Sequence, residues 1–221
     1  MSNIKHVIVE QVLDMLFPPS ERELFVRALT VEHMPVVPQT SKAGGANITS
    51  LMPYDNDAVR ACVRALKFNR SKYAAKLCAD ILTDFLLEEI SDMHIFGGRN
   101  IALVPMPLGK ARVRERGYNQ IELVLNACSK TLSESMPTAR VEKRLLVRTR
   151  ETKPQMSLPR EARLKNVRDA FAVTAHAHTY KQKPHVFLID DITTTGATLK
   201  HAARPLRRAG FGVTLLALAR A

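Results

Sequence analysis

The apolar residues of this chain follow two spacings. Runs of consecutive apolar residues, typical of strands buried on both faces of a sheet, lie at 101–104 and 186–189, and a strand-like, mostly apolar run lies at 211–218. Apolar residues at the spacing of an amphipathic helix lie at 4–16, 57–69 and 72–90. A further helix is predicted from Ala197 to about Arg208, with Gly210 as its stop. Residues 186–218 therefore predict a strand–loop–helix–strand unit, which is parallel and right-handed and typical of α/β folds.

The strand at 186–189 leads into a strongly polar turn. Asp190 and Asp191 come first, and a threonine-rich loop interrupted by Gly196 follows. In open α/β sheets, ligands bind beyond the carboxyl ends of the strands. Backbone N–H groups, hydroxyls and a helix N-terminus suit a phosphate, whereas the carboxylates suit sugar hydroxyls or a magnesium ion. The turn therefore predicts a site for a phosphorylated ribose, and an ordinary buried strand followed by a polar turn is the alternative.

The same turn resembles the motif that binds 5-phosphoribosyl pyrophosphate (PRPP) in type I phosphoribosyltransferases. That motif is an apolar strand, two acidic residues and a Thr-Thr-Gly-x-Thr loop. The resemblance implies that Asp190 and Asp191 are catalytic, bind the ribose hydroxyls and organise Mg²⁺, directly or through water. Because neighbouring strand residues point to opposite faces, the two aspartates are expected to differ in role. The implied 5′-phosphate loop is Thr193, Thr194, Thr195, Gly196, Ala197 and Thr198.

The strand at 101–104 also ends in a candidate binding segment, which is predicted to be a basic loop. In a PRPP site this loop receives the pyrophosphate, and arginine suits that task because its guanidinium makes paired hydrogen bonds to phosphate oxygens. The alternative is a solvated basic start of the helix that is predicted to run to about Leu132. The candidate pyrophosphate contacts are Pro105, Lys110, Arg112 and Arg116.

A long polar and basic segment, 148–166, lies between strand candidates at 141–147 and 170–173. Long loops in compact domains are usually lids or binding loops. We expect this flexible loop to close over the pyrophosphate and exclude water. Its candidate residues are Arg150, Lys153, Gln155 and Arg163. The following His176 and His178 have no carboxylate or cysteine near them in sequence, so no metal site is predicted there.

The first 50 residues are predicted to form an N-terminal helical segment and linker, followed by the main domain at 51–221. Pro18 and Pro19 end the first helix. Ser20 then suits the N-cap of a second helix, with Glu23 placed for a capping box. Residues 31–50 contain proline and glycine and are weakly patterned, which indicates a linker or an extended excursion.

Composition adds a strong charge imbalance. The chain carries 33 Lys and Arg against 21 Asp and Glu, a formal charge of +12. This excess predicts anionic partners, either polyphosphate substrates or nucleic acid, with a merely basic surface as the alternative. Lys67 is interpreted as a surface lysine, with a phosphate contact as the alternative. No apolar run is long enough to span a bilayer and the first residues do not resemble a signal peptide, so no membrane insertion is expected.

The three cysteines contain no Cys-x-x-Cys pair. They predict neither a disulfide framework nor a zinc ribbon, and they fit a reducing cytoplasm.

Further stretches are similar to the ComF family of phosphoribosyltransferase-like proteins, and together they cover nearly the whole chain. Many ComF proteins carry a four-cysteine zinc-binding module after a Leu-Phe-Pro-Pro stretch. Here Ser20 follows that stretch and no cysteine precedes Cys62, so no zinc site is expected. The similar stretches are Leu16–Pro19, Val59–Phe68, Val104–Pro107, Arg116–Gln120 and Arg150–Gln155, with Leu158, Arg163, Asn166 and Phe171.

The resemblance implies a type I phosphoribosyltransferase fold, in which a mainly parallel, twisted sheet is flanked by helices and a small hood selects the acceptor. It implies a Mg²⁺-dependent glycosyltransferase that moves the phosphoribosyl group of PRPP to an unknown acceptor and releases pyrophosphate. ComF proteins are associated with natural competence, so a non-catalytic factor that binds single-stranded DNA is an alternative. The low aromatic content, 5%, argues against it. A PRPP sensor without turnover is the third possibility.

Overall fold

The computed structural model describes residues 18–43, 45–95, 100–150 and 170–221. The strands are β1 (Gln39–Ala43), β2 (Ala46–Pro53), β3 (Ile101–Pro105), β4 (Ala139–Val141), β5 (Leu146–Arg148), β6 (Phe171–Val173), β7 (His185–Thr193) and β8 (Val213–Arg220). The helices are α1 (Glu21–Ala28), α2 (Asp57–Phe68), α3 (Lys72–Ile95), α4 (Lys110–Arg116), α5 (Gln120–Ser135) and α6 (Ala197–Arg208). Short 3₁₀ turns lie at Val31–His33 and Ala175–Thr179.

Within these ranges the main sheet has the strand order β1-β2-β8-β7-β3-β4. Every neighbouring pair is parallel except β1 and β2, which form an antiparallel hairpin. β5 and β6 pair separately as a small antiparallel sheet. The predicted α/β architecture, with a mainly parallel sheet and flanking helices, is confirmed. The predicted unit β7–α6–β8 is also present, with β7 and β8 parallel neighbours inside the sheet.

Hydrophobic cores cover both faces of the main sheet. One core packs α2, α3 and α5 on the sheet, and the other packs α6 and the small β5–β6 sheet on the opposite face. Along β7, Phe187 and Ile189 belong to the first core, and Val186 and Leu188 belong to the second. Because side chains alternate along a strand, Asp191 lies on the face of α2, α3 and α5, and Asp190 lies on the face of α6.

Residues 31–50, predicted to be a linker or an extended excursion, contain two strands in their second half. Residues 39–43 form β1, and β2 begins at Ala46 and runs through residue 50. β2 lies inside the sheet because β8 is its parallel neighbour, with Ile48 opposite Leu215. The strand that pairs with β2 comes from the far end of the chain, so the local sequence gives little indication that β2 is a strand.

Other boundaries also differ from the predicted ones. The strand predicted at 141–147 is two strands in different sheets, β4 and β5, separated by a turn. The basic segment predicted as a loop is the helix α4. β7 continues through the two aspartates to Thr193, because β8 pairs with it as far as Arg220. α6 ends at Arg208 as predicted, with Pro205 inside it.

The N-terminal prediction is tested only in part, because the helix predicted at 4–16 lies outside the described residues. Ser20 caps α1 as predicted, with its hydroxyl accepting the N–H of Glu23 at 3.3 Å. The carboxylate of Glu23 pairs with Arg27 at 2.8 Å. None of the helices in the described ranges is both long and apolar enough to cross a bilayer.

Candidate functional site

The acidic pair lies at the carboxyl end of β7, and its second member is held by two other elements. Asp191 is 6% exposed. Its Oδ2 accepts a hydrogen bond from Gln120 Nε2 at 2.7 Å and lies 3.1 Å from Lys67 Nζ. Its Oδ1 accepts the backbone N–H of Ile192 at 2.7 Å. Asp191 is therefore charge-paired and hydrogen-bonded by groups of the protein itself.

Asp190 has a different environment. Its half-buried carboxylate accepts the backbone N–H of Asp191 at 2.9 Å, and the described residues supply no ion-pair partner for it. Burial, followed by repulsion from Asp191, raises the pKa of Asp190 to about 7. A cation or the hydroxyl groups of a ligand would stabilise a carboxylate whose charge is so poorly compensated. The carboxylate of Asp190 is therefore better suited than that of Asp191 to bind Mg²⁺ or a sugar diol.

The predicted phosphate loop connects β7 to α6. Thr193 is buried, and its backbone oxygen accepts the N–H of Ala221 at 3.0 Å, so the loop begins at a paired strand end. Thr194 and Thr195 are exposed. Gly196 is the N-cap of α6 with φ 71°, a left-handed conformation that favours glycine, and no side chain caps the helix. The first N–H groups of α6 and two exposed hydroxyls thus lie at one turn, which suits an anion.

The predicted pyrophosphate segment begins beside the acidic pair. β3 runs parallel to β7 with Pro105 opposite Ile189, and the N–H of Met106 donates to the Ile189 oxygen at 2.7 Å. Farther along, Arg116 Nη1 lies 3.4 Å from Gln120 Oε1, and its guanidinium stacks 5.3 Å from the ring centre of Phe68. Arg116 Nε is buried without a hydrogen-bond partner among the described residues. Arg116 is thus linked to the acidic pair through Gln120.

For the remaining predicted site residues, the described part of the chain shows no contact with the acidic pair. Lys110 and Arg112 are exposed on α4, and no contact with the acidic pair is found for them in the described ranges. Arg150 is exposed just after β5, where its backbone oxygen accepts from Arg148 Nε at 3.3 Å. Lys153, Gln155 and Arg163, the other flexible-loop candidates, lie outside the described residues.

The segment from Arg116 to Gln120 joins three parts of the site. Tyr118 Oη donates to the Leu66 oxygen at 2.7 Å and accepts the N–H of Arg70 at 3.0 Å, which holds the end of α2. Asn119 caps α5 through the N–H of Ile121 at 2.9 Å, and its Nδ2 donates to the Met106 oxygen at 2.9 Å. The segment therefore binds α2, the turn after β3 and, through Gln120, the carboxylate of Asp191.

Lys67 was wrongly interpreted as a surface lysine. Its side chain is 20% exposed and pairs with Asp191 across the site. Gln120 was recognised only as part of a family-like stretch. The usable sequence signal was weak: Lys67 stands at the end of an amphipathic helix, between buried Leu66 and exposed Phe68. The sequence does not indicate which strand that helix end faces.

His176 has a carboxylate partner that the sequence reading missed. Its Nε2 lies 3.2 Å from Glu142 Oε2, because the turn after β4 packs beside the 3₁₀ turn at Ala175–Thr179. In the portion of the chain that the structure describes, no group of three or more His, Cys, Asp or Glu residues could hold a metal ion.

The fold and the site define an α/β protein with an acidic pair and a threonine-rich, glycine-containing turn at the carboxyl edge of a parallel sheet. No protein-family model matches the chain. It is similar to Competence protein F of Haemophilus influenzae, with 31% identity over 109 residues, 49% of this chain and 45% of that protein. DNA utilization protein YhgH of Escherichia coli (strain K12) is 29% identical over 150 residues, 67% of this chain and 60% of that protein.

Competence protein ComFC of Bacillus subtilis is 28% identical over 162 residues, 73% of this chain and 61% of that protein. Two of these relatives carry competence names that agree with the ComF resemblance, and the three matches, at about 30% identity, support membership of the ComF family. The chain spans 45% to 61% of the length of these three relatives.

Proposed function

We propose that this protein binds PRPP with Mg²⁺ at the carboxyl edge of the main sheet and transfers the phosphoribosyl group to an acceptor, with pyrophosphate leaving. One observation carries the proposal: the poorly compensated carboxylate of Asp190 stands next to the turn that presents the N-terminus of α6. A group that attracts cations and diols thus adjoins one that attracts phosphate. The mainly parallel sheet with flanking helices is compatible with the type I phosphoribosyltransferase fold.

Each part of the ligand has a proposed partner. Residues 193–198 hold the 5′-phosphate through backbone N–H groups and threonine hydroxyls. Asp190 meets the ribose hydroxyls, and the turn that begins at Pro105 contacts the pyrophosphate. Arg116 is the best placed of the predicted cations, since it already lies beside Gln120. Lys110 and Arg112 contribute positive charge on the adjoining helix.

Asp190 and the oxygens of PRPP would hold the magnesium ion, because the described residues alone provide too few ligands. When bound, the ion would supply neutralisation of phosphate charge. In the reaction, the bond from the anomeric carbon to the pyrophosphate oxygen breaks, and a bond from that carbon to the acceptor forms. The protein contributes positioning and electrostatic stabilisation, with Arg116 and the α6 N-terminus at the two ends of the substrate.

Calorimetric titration of PRPP in the presence of Mg²⁺ tests binding. Asp190→Asn is expected to weaken affinity about 10- to 150-fold, the equivalent of losing the 1.5–3 kcal/mol of a hydrogen bond to a charged group. Lys76→Met, which removes an exposed lysine paired with Asp80 on α3, is the control and should leave affinity unchanged. Equal affinities of the wild type and Asp190→Asn would count against the proposed site.

Turnover is a separate question from binding. The wild-type protein incubated with PRPP, Mg²⁺ and a cell-extract metabolite mixture is expected to release pyrophosphate, and Asp190→Asn is expected to release little. Tight PRPP binding without pyrophosphate release from any fraction would establish a sensor in place of an enzyme.

A second candidate function is binding of single-stranded DNA, in keeping with relatives named for competence and for DNA utilization. A groove of about 920 Å³ lies between α1 and α2. Arg22 and Arg64 line it, and so do two exposed aromatic residues, Phe25 at 47% and Phe68 at 65%. Exposed rings beside arginines are the groups that stack on bases and bind phosphates. The two rings come from separate segments of the chain, so they are brought together only by the fold.

Fluorescence anisotropy with labelled single-stranded DNA tests this role. Phe25→Ala is expected to weaken binding about 5- to 150-fold, because base stacking contributes about 1–3 kcal/mol per base. Val147→Ala, at an exposed apolar residue of β5, is the control. Affinity should also fall steeply with salt. Unaltered binding by Phe25→Ala would exclude this groove.

A further inference from the structure

We infer that Lys67 and Gln120 are positioning residues for the acidic pair: they hold and neutralise Asp191, so that Asp190 is the carboxylate that meets the ligand. The inference rests on the proposed binding of PRPP and Mg²⁺. It assigns different tasks to two adjacent residues of the motif, and it adds a residue of α2 to a site otherwise formed by the carboxyl ends of β3 and β7.

The first support is burial. The side chain of Lys67 is 20% exposed and that of Asp191 is 8% exposed, with 3.1 Å between Nζ and Oδ2. Opposite charges in such a position interact more strongly than at the surface, and each depends on the other for compensation. The pair therefore differs from the Lys76–Asp80 pair of the same protein, whose side chains are 73% and 45% exposed.

The second support is the count of donors around each carboxylate. Asp191 accepts from Lys67 and Gln120 at Oδ2 and from Ile192 at Oδ1. A carboxylate with three donors has little capacity left for a metal ion or a sugar hydroxyl. Across the described residues, Asp190 accepts one hydrogen bond, from the N–H of Asp191. Its remaining acceptor positions are the ones open to a ligand.

The third support is that the positioning groups are themselves anchored. Tyr118 holds the end of α2 through the Leu66 oxygen and the Arg70 N–H. Gln120 begins α5, is 3% exposed, and its Oε1 faces Arg116 Nη1 at 3.4 Å. The amide therefore has one orientation, with its nitrogen toward Asp191. These contacts are made within the protein itself, so they preorganise the acidic pair.

A competing role for Lys67 is direct contact with a phosphate of PRPP, after it leaves Asp191. A double-mutant cycle separates the two roles, because a residue that acts through Asp191 loses its effect when the charge of Asp191 is removed. The variants are Lys67→Met, Asp191→Asn and the double variant, with Lys76→Met as the matched control. PRPP affinity is measured calorimetrically at fixed Mg²⁺, and circular dichroism verifies folding.

Lys67→Met is expected to weaken PRPP binding about 10- to 100-fold, as loss of a residue that orients a ligand group does. The double variant is expected to bind PRPP within about 3-fold of Asp191→Asn, since this comparison isolates the effect of Lys67 without the carboxylate. That comparison remains available even if Lys67→Met alone does not fold. A double variant at least 10-fold weaker than Asp191→Asn would show direct phosphate contact and overturn the inference.

Two failures remain distinguishable. If the wild type and Lys76→Met do not bind PRPP, the proposed function itself is refuted. If they bind it and Lys67→Met binds equally well, only the positioning role of Lys67 is refuted.

Discussion

The hydroxyl of Tyr118 offers the sharpest test of how the site is held together. It bridges the Leu66 oxygen at 2.7 Å and the Arg70 N–H at 3.0 Å, at the point where α2 ends and Arg70 adopts a left-handed φ of 50°. Tyr118→Phe leaves both backbone groups without this partner. A hydrogen bond contributes about 0.5–1.5 kcal/mol net, and the site is half-buried, so water replaces part of the loss. We expect about 1–2 kcal/mol of destabilisation for the two bonds together.

Urea unfolding followed by circular dichroism measures this loss. The midpoint should fall while the denaturant slope stays constant, because the core is unchanged. Tyr180→Phe, which removes a longer contact of 3.4 Å with the exposed His176, is the control and should cost under about 0.5 kcal/mol. PRPP affinity should also fall, since Lys67 follows directly after Leu66. A variant as stable as the wild type, with unchanged PRPP affinity, would contradict the account of α2 as part of the site.

Three further predictions concern the turn, the acidic pair and the cysteines. Gly196→Ala, at φ 71°, should cost about 1–2 kcal/mol in stability and weaken PRPP binding, as measured by thermal unfolding and calorimetry. The folded-state pKa of Asp190, about 7, lies above the ordinary value of 3.8, so the wild type loses stability as pH rises from about 4 to about 7. In metal-free buffer, Asp190→Asn should therefore stabilise the protein more at pH 8 than at pH 4, and urea unfolding at both pH values measures the difference. The hydrogen bond with Cys62 and burial raise the thiol pKa of Cys78 well above its ordinary value, and burial raises that of Cys128 to about 11. Both thiols should resist a thiol-specific disulfide reagent at pH 8 until the chain is unfolded, and rapid modification of the folded protein would contradict their placement in the core.

The predicted behaviour of Asp190 connects stability with function. A carboxylate held in a half-buried position, beside another carboxylate and without an ion-pair partner among the described residues, destabilises the protein in its charged form. Such a residue can still contribute to binding, because a ligand supplies the missing positive charge. Asp191 shows the opposite arrangement, because Lys67 and Gln120 already satisfy it. The two neighbours therefore illustrate how one turn can combine a ligand contact with an internal anchor.

Local sequence determined the elements around the acidic pair. Four consecutive apolar residues before Asp190 predicted a strand buried on both faces, and Val186–Ile189 contribute to both cores. Gly196 and Gly210 bounded α6 correctly, because glycine alone adopts positive φ without strain at both ends. These signals depend on neighbouring residues, so they are visible without the rest of the molecule.

Tertiary structure alone decided which distant residues complete the site. Lys67 looked like a surface lysine because its own helix does not reveal that its end faces β7, and β2 looked like a linker because its parallel neighbour, β8, comes from the far end of the chain. Pairing partners and charge partners that are far apart in sequence leave little trace in local periodicity. The sequence by itself thus determined the motif and the α/β class, and packing decided that Asp191 is held by α2 and α5 while Asp190 remains the more available carboxylate.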